Sequence, residues 1–154
     1  MTSILVSIND RSYELEVRPN QTLIDLLRDE LGLRGTVEGC GVGVCGSCTV
    51  LVHDRPVSSC LVLAVDVDGT DVRTIEGVAQ GDRLDPVQDA FLERQAFQCG
   101  YCTAGMIMAT KGLLAENPHP TRDEVRDYLS GNLCRCGTYE EVLAAIESLA
   151  NVST

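Results

Sequence analysis

The chain has 154 residues, 44% of them hydrophobic, with 12 Lys and Arg against 23 Asp and Glu, a formal net charge of −11, and eight cysteines. So acidic a surface repels phosphate backbones and anionic membranes and argues against nucleic acid as a partner. No apolar stretch approaches the roughly 20 residues of a membrane span, and two domains of half this length would bury too little apolar surface to do without a covalent or metal staple.

The N-terminus, Met1 to Val6, has no basic region, long apolar core or cleavage signal. The expected location is therefore a reducing cytoplasm, where clustered cysteines more often bind metal than form disulfides. Residues 3–8 and 12–17 alternate like strands around Asn9-Asp10-Arg11, which predicts a β-hairpin. Thr22 can cap a helix with Leu23, Leu26, Leu27 and Leu31 on one face, ended by Gly32. A glycine-rich loop over 35–48 runs into a strand at 49–52. His53 to Pro56 reads as a turn, and Val57 to Val65 as one or two returning strands.

From about residue 76 the pattern turns helical. Asp85-Pro86-Val87-Gln88, Thr121 to Glu124 and Thr138 to Glu141 carry capping signals. The helix predicted from Thr103 to Ala115 is apolar nearly all round and belongs at the centre of a bundle, with Met106 and Met108 as core filler. His53 and His119 are expected at the surface, and Arg135 in a surface ion pair. The resulting expectation is an α+β chain: a β-grasp, ferredoxin-like domain over residues 1–76 and a four-helix domain over 77–154.

Cys40, Cys45, Cys48 and Cys60 are spaced C-x4-C-x2-C-x11-C. The first three match the plant-type 2Fe-2S ferredoxin pattern, in which a short loop aims several thiolates at one cluster. Gly39, Gly41, Gly43 and Gly46 allow the backbone to approach inorganic sulfide and donate N–H groups to it. The loop also spells Gly41-x-Gly43-x-x-Gly46, but a dinucleotide fingerprint follows a strand and opens a helix, the reverse of the order here.

Cys99, Cys102, Cys134 and Cys136 form C-x2-C-x31-C-x1-C, each pair at a predicted helix start. The second pair argues against an isolated thioredoxin-like dithiol. The residues alone leave a second 2Fe-2S cluster and a structural four-cysteine zinc site both open, the one-residue gap being unusual for zinc.

With both quartets placed, the chain resembles the iron-sulfur subunit of the xanthine oxidase family of molybdenum hydroxylases. The resemblance rests on Glu38 to Cys48, Cys60, Gln98 to Met106 and Gly131 to Cys136, and covers nearly the whole chain. It implies 2Fe-2S at both quartets and a role in electron transfer. It also implies a molybdopterin cofactor on a large partner subunit and FAD on a medium one, in a dimer of heterotrimers. Gln98 would hydrogen-bond the pterin, and Cys136, while binding iron, would couple it to the cluster. Many flavin-linked members read Cys-Arg-Cys-Thr-Gly-Tyr, whereas this chain has Cys136-Gly137-Thr138-Tyr139, an order that also occurs in relatives with other acceptors. A free two-cluster ferredoxin and a zinc-containing binding module are the alternative functions.

Overall fold

The computed structural model describes residues 1–150. The hairpin forms as expected, from β1 (Thr2–Ile8) and β2 (Arg11–Val17) paired antiparallel. Asn9 and Asp10 turn it with φ of 50° and 64°, the left-handed values of a tight two-residue hairpin turn. Ile4, Val6 and Ile8 point into the core while Leu5 between them is exposed, as the period of two requires.

Thr22 caps α1 (Leu23–Asp25) in a reciprocal box with Asp25. The helix then widens into a π-helical turn, Leu26–Glu30, in which Leu31 N–H reaches the Leu26 carbonyl at 3.1 Å. Leu23, Leu26 and Leu27 are all fully buried, and Gly32 ends the segment at φ 69°. After the cysteine loop come β3 (Thr49–Val52) and β4 (Arg55–Ser58), joined by a tighter turn than expected, at His53 and Asp54.

The strand expected over 57–65 stops at Ser58. Residues beyond it cross the start of α1, where the Val62 carbonyl accepts from Leu23 N–H at 2.7 Å, and Ala64–Val67 forms a 3₁₀ turn. The segment pairs with the start of α1 rather than with the sheet, and Leu61 and Leu63 in it are exposed. A three-residue strand, β5 (Asp71–Arg73), completes a five-stranded sheet in the order β2-β1-β5-β3-β4. It runs parallel to β1 and antiparallel to β3.

Among the described residues the second half holds four α-helices: α2 (Pro86–Glu93), α3 (Thr103–Glu116), α4 (Arg122–Tyr128) and α5 (Tyr139–Ala150). The capping boxes at Asp85 and Thr121 both form. Asp85 also binds Lys111 Nζ at 2.6 Å, tying the start of α2 to α3. Phe91, Met106, Ile107, Leu113, Val125, Val142 and Ile146 form the helical core. Met106 and Met108 are 1% exposed, as the apolar pattern demanded. No helix among the described residues is long and apolar enough to cross a membrane.

The halves meet along α3, where Met108 packs with Leu51 of β3 and Val78. Close approach depends on glycine. A Cβ on Gly105 would lie 2.3 Å from the Gly46 carbonyl oxygen and 3.0 Å from Ser47 Cα. Gly105→Ala should therefore destabilise the protein by about 1–3 kcal/mol despite its better helix propensity, because backbone on the far side must move. Gly131→Ala, whose Cβ would meet nothing within 4 Å, is the control. The check is the drop in thermal midpoint of the first variant against an unchanged second.

Candidate metal centres

The eight cysteines are all free thiols and gather in two groups of four. Among the described residues no three His, Cys, Asp or Glu side chains converge on one point as a single ion would require. The thiols converge in twos. In the N-terminal group Cys40 lies in hydrogen-bonding range of Cys45, and Cys48 of Cys60, with Cys40 and Cys60 close enough to interact through their charge. In the C-terminal group the pairs are Cys99 with Cys136 and Cys102 with Cys134, and Cys99 senses the charge of Cys134. A 2Fe-2S cluster takes two thiolates at each iron, four in all, the number present in each group.

The loop before β3 builds the first group. Gly41, Gly43 and Gly46 adopt φ of 68°, 76° and 70°, the left-handed values that let the loop fold back on itself. Val42 and Val44 N–H each donate to Cys40 Sγ at 3.4 Å. These two donors lead the causes that bring the Cys40 thiol down to about 6. Cys60 arrives from beyond β4 and is held by its neighbour: Ser59, fully buried, donates from Oγ to the Cys48 carbonyl at 2.7 Å. Burial, and then the Cys48 thiol, push Cys60 up to about 11. Gly39 leaves room for Cys45, whose Sγ would lie 2.8 Å from a Cβ placed there.

The second group joins two segments at helix starts. Cys102 is the residue before α3, and Cys134 and Cys136 precede α5. Burial, then Cys134, raises Cys102 to about 12. Burial alone would raise Cys134 too, but the Thr138 hydroxyl and N–H outweigh it and bring the thiol to about 7. Thr138, expected from sequence only as a helix cap, places its hydroxyl 3.2 Å from Cys134 Sγ. The Tyr139 hydroxyl accepts from the Cys134 N–H at 2.8 Å. Neither contact was readable from spacing, although both residues fall within five positions of a cysteine.

Burial separates the roles of the cysteines. Cys48, Cys60 and Cys134 are buried, whereas Cys99 and Cys136 are exposed, with Gln98 exposed beside Cys99. His53 and His119 are exposed and lie in neither group. The apolar residues Val42 and Val44 are exposed on the N-terminal loop, Leu61 after Cys60 and facing Gly43, and Phe97 beside the C-terminal group.

Residues 6–74 match the family described as Fer2, a 2Fe-2S iron-sulfur cluster binding domain, and residues 74–147 match Fer2_2, a [2Fe-2S] binding domain. The second match is to a 2Fe-2S domain, the first of the two alternatives that spacing left open. The chain is 43% identical to the aldehyde oxidoreductase iron-sulfur-binding subunit PaoA of Escherichia coli strain K12, over 96% of this chain and 71% of that protein. Its fold matches a chain of quinoline 2-oxidoreductase from Pseudomonas putida 86 at a TM-score of 0.93 and 48% identity, covering 97% and 92% of the two chains. It also matches aldehyde oxidoreductase from Desulfovibrio gigas at a TM-score of 0.94 and 37% identity, where it covers 99% of itself but 17% of the longer chain. The chain thus belongs to the xanthine oxidase family of molybdenum hydroxylases, as one of its electron-transferring iron-sulfur subunits.

Proposed function

We propose that Cys40, Cys45, Cys48 and Cys60 hold one 2Fe-2S cluster and Cys99, Cys102, Cys134 and Cys136 a second, and that electrons cross the chain from the second to the first. The observation that carries the assignment is that four cysteines come together in each half, each half matching a 2Fe-2S binding domain. When bound, the clusters supply one-electron storage at each end. The protein supplies ligation, backbone and hydroxyl donors to sulfur, and a fixed separation. The halves divide near residue 76, in keeping with two family matches that meet at residue 74.

The electron source is a molybdopterin cofactor on a large partner subunit, docked at the face where Gln98, Cys99 and Cys136 are exposed. Gln98 would hydrogen-bond the pterin there, and Cys136 would couple it to the cluster. The opposite terminus of the relay is the N-terminal loop, where exposed Val42 and Val44, with Leu61 facing Gly43, suit contact with an acceptor subunit, FAD-bearing in this reading. The assembly is a dimer of such heterotrimers in the cytoplasm. The bond chemistry belongs to the large subunit; this chain has the electron-transfer role.

Purified protein should carry about four irons and four inorganic sulfides per chain, two of each for each cluster. About two zinc and no iron would overturn the ligand assignment. Cys45→Ser should abolish one of two distinguishable EPR signals and leave the other unchanged. Loss of neither, or of both, contradicts the division of the cysteines into these quartets.

Thr138→Val tests the tuning of the second cluster. Its hydroxyl donates to Cys134 sulfur and favours the more negative, reduced state, so removing it should lower the midpoint potential of the C-terminal signal alone. Redox titration followed by EPR reads this directly, with iron content as the control. An unchanged potential would reduce Thr138 to a helix cap.

A further inference from the structure

The two cysteine groups are joined by a backbone hydrogen bond. Leu133 N–H, immediately before Cys134, donates to the carbonyl of Cys45 at 2.9 Å. One hydrogen bond and otherwise covalent bonds therefore connect a thiol of the second group to a thiol of the first.

Asn132 locks this contact. It is 8% exposed, lies between the halves, and donates from Nδ2 to the Gly46 carbonyl at 3.1 Å and toward Thr49 Oγ1 at 3.4 Å. The fit is close: a Cβ on Gly46 would come within 2.5 Å of the Gly131 carbonyl oxygen and 2.6 Å of Asn132 Nδ2. Residues 131–133 are thus pressed against residues 45–46, with Gly105 of α3 closing the contact from a third side.

We propose that Asn132 is a positioning residue for electron transfer: it fixes the Leu133 N–H to Cys45 carbonyl hydrogen bond, which is the bridge between the two centres. The inference rests on the two-cluster reading above. In the step one electron leaves the reduced C-terminal centre and enters the oxidised N-terminal centre. No bond is made or broken, no proton need move, and the electron comes from substrate oxidation in the partner subunit.

The Gly46 carbonyl shows why the link can be cut without losing the fold. It also accepts from Thr49 Oγ1 at 2.7 Å and from Thr49 N–H at 3.2 Å, so removing the Asn132 amide strands no buried acceptor. Asn132→Ala deletes the amide, and Asn132→Asp keeps its size but replaces the donor with an oxygen facing the carbonyl.

Both variants are to be purified as the full complex and reduced with dithionite. Iron content and the two separate EPR signals of the partly reduced protein test the two-cluster reading, and wild-type protein lacking either signal would remove that reading itself. With both signals present at wild-type positions, the positioning role predicts altered spin–spin splitting in the fully reduced variants, because splitting reports separation and orientation. Rapid-freeze EPR should also show electron equilibration between the centres slowed several-fold. Unchanged splitting and rate in both variants would overturn the inference while leaving the clusters assigned. Loss of iron from both variants would overturn it too, by making Asn132 an assembly residue.

Discussion

Four thiols brought close together repel one another as soon as they ionise, and the fold is arranged around that repulsion. Each group contains at least one thiol lowered by hydrogen-bond donors and one raised by burial and a sulfur neighbour. Cys40 falls to about 6 while Cys60 rises to about 11, and Cys134 falls to about 7 while Cys102 rises to about 12. Bound iron neutralises such a set, and until then the surrounding framework must hold the thiols together. That is why the cysteine loops are pinned from both sides, by Ser59 on the Cys48 carbonyl and by Leu133 on the Cys45 carbonyl.

The same requirement explains the use of glycine. At Gly41 and Gly43 positive φ accompanies N–H groups of the next residues, Val42 and Val44, aimed at Cys40 sulfur, which a residue with a Cβ would do only under strain. At Gly105 the conformation is ordinary helix and the need is space, since the Gly46 carbonyl lies where a methyl group would be. Backbone touching backbone is what brings the second set of thiols to the first. A seam of bulky side chains would hold the halves together equally well but farther apart, which suits stability and not electron transfer.

Long, strongly patterned elements were legible without coordinates. The hairpin, the Thr22 cap, the boxes at Asp85 and Thr121 and the buried all-apolar α3 each follow from local rules that the tertiary structure had no reason to override. The failures were equally local in cause. Strand β5 has three residues, Asp71, Val72 and Arg73, two of them charged, and is defined by its neighbours β1 and β3 rather than by any period of its own. Residues 59–63 read as a strand from sequence, but their Ser59 and Val62 carbonyls accept from Ile24 and Leu23 at the start of α1 instead of from a strand. The widening of α1 at Leu26–Glu30 leaves no mark in the heptad-like spacing of its leucines.

Cysteine spacing by itself determined that a plant-type cluster loop precedes β3 and that the later four cysteines form a second metal-binding set. Thiols close in sequence on a glycine-rich loop have few other ways to be used. Sequence could not determine which thiols pair, which cysteines face solvent, or how the two sets connect, because these depend on segments dozens of residues apart. Cys48 meets Cys60 through Ser59, Cys99 meets Cys136 across α3 and α4, and Asn132 reaches Gly46 across the seam. The first two contacts need each half to have folded, and the third exists only once the halves have packed against one another.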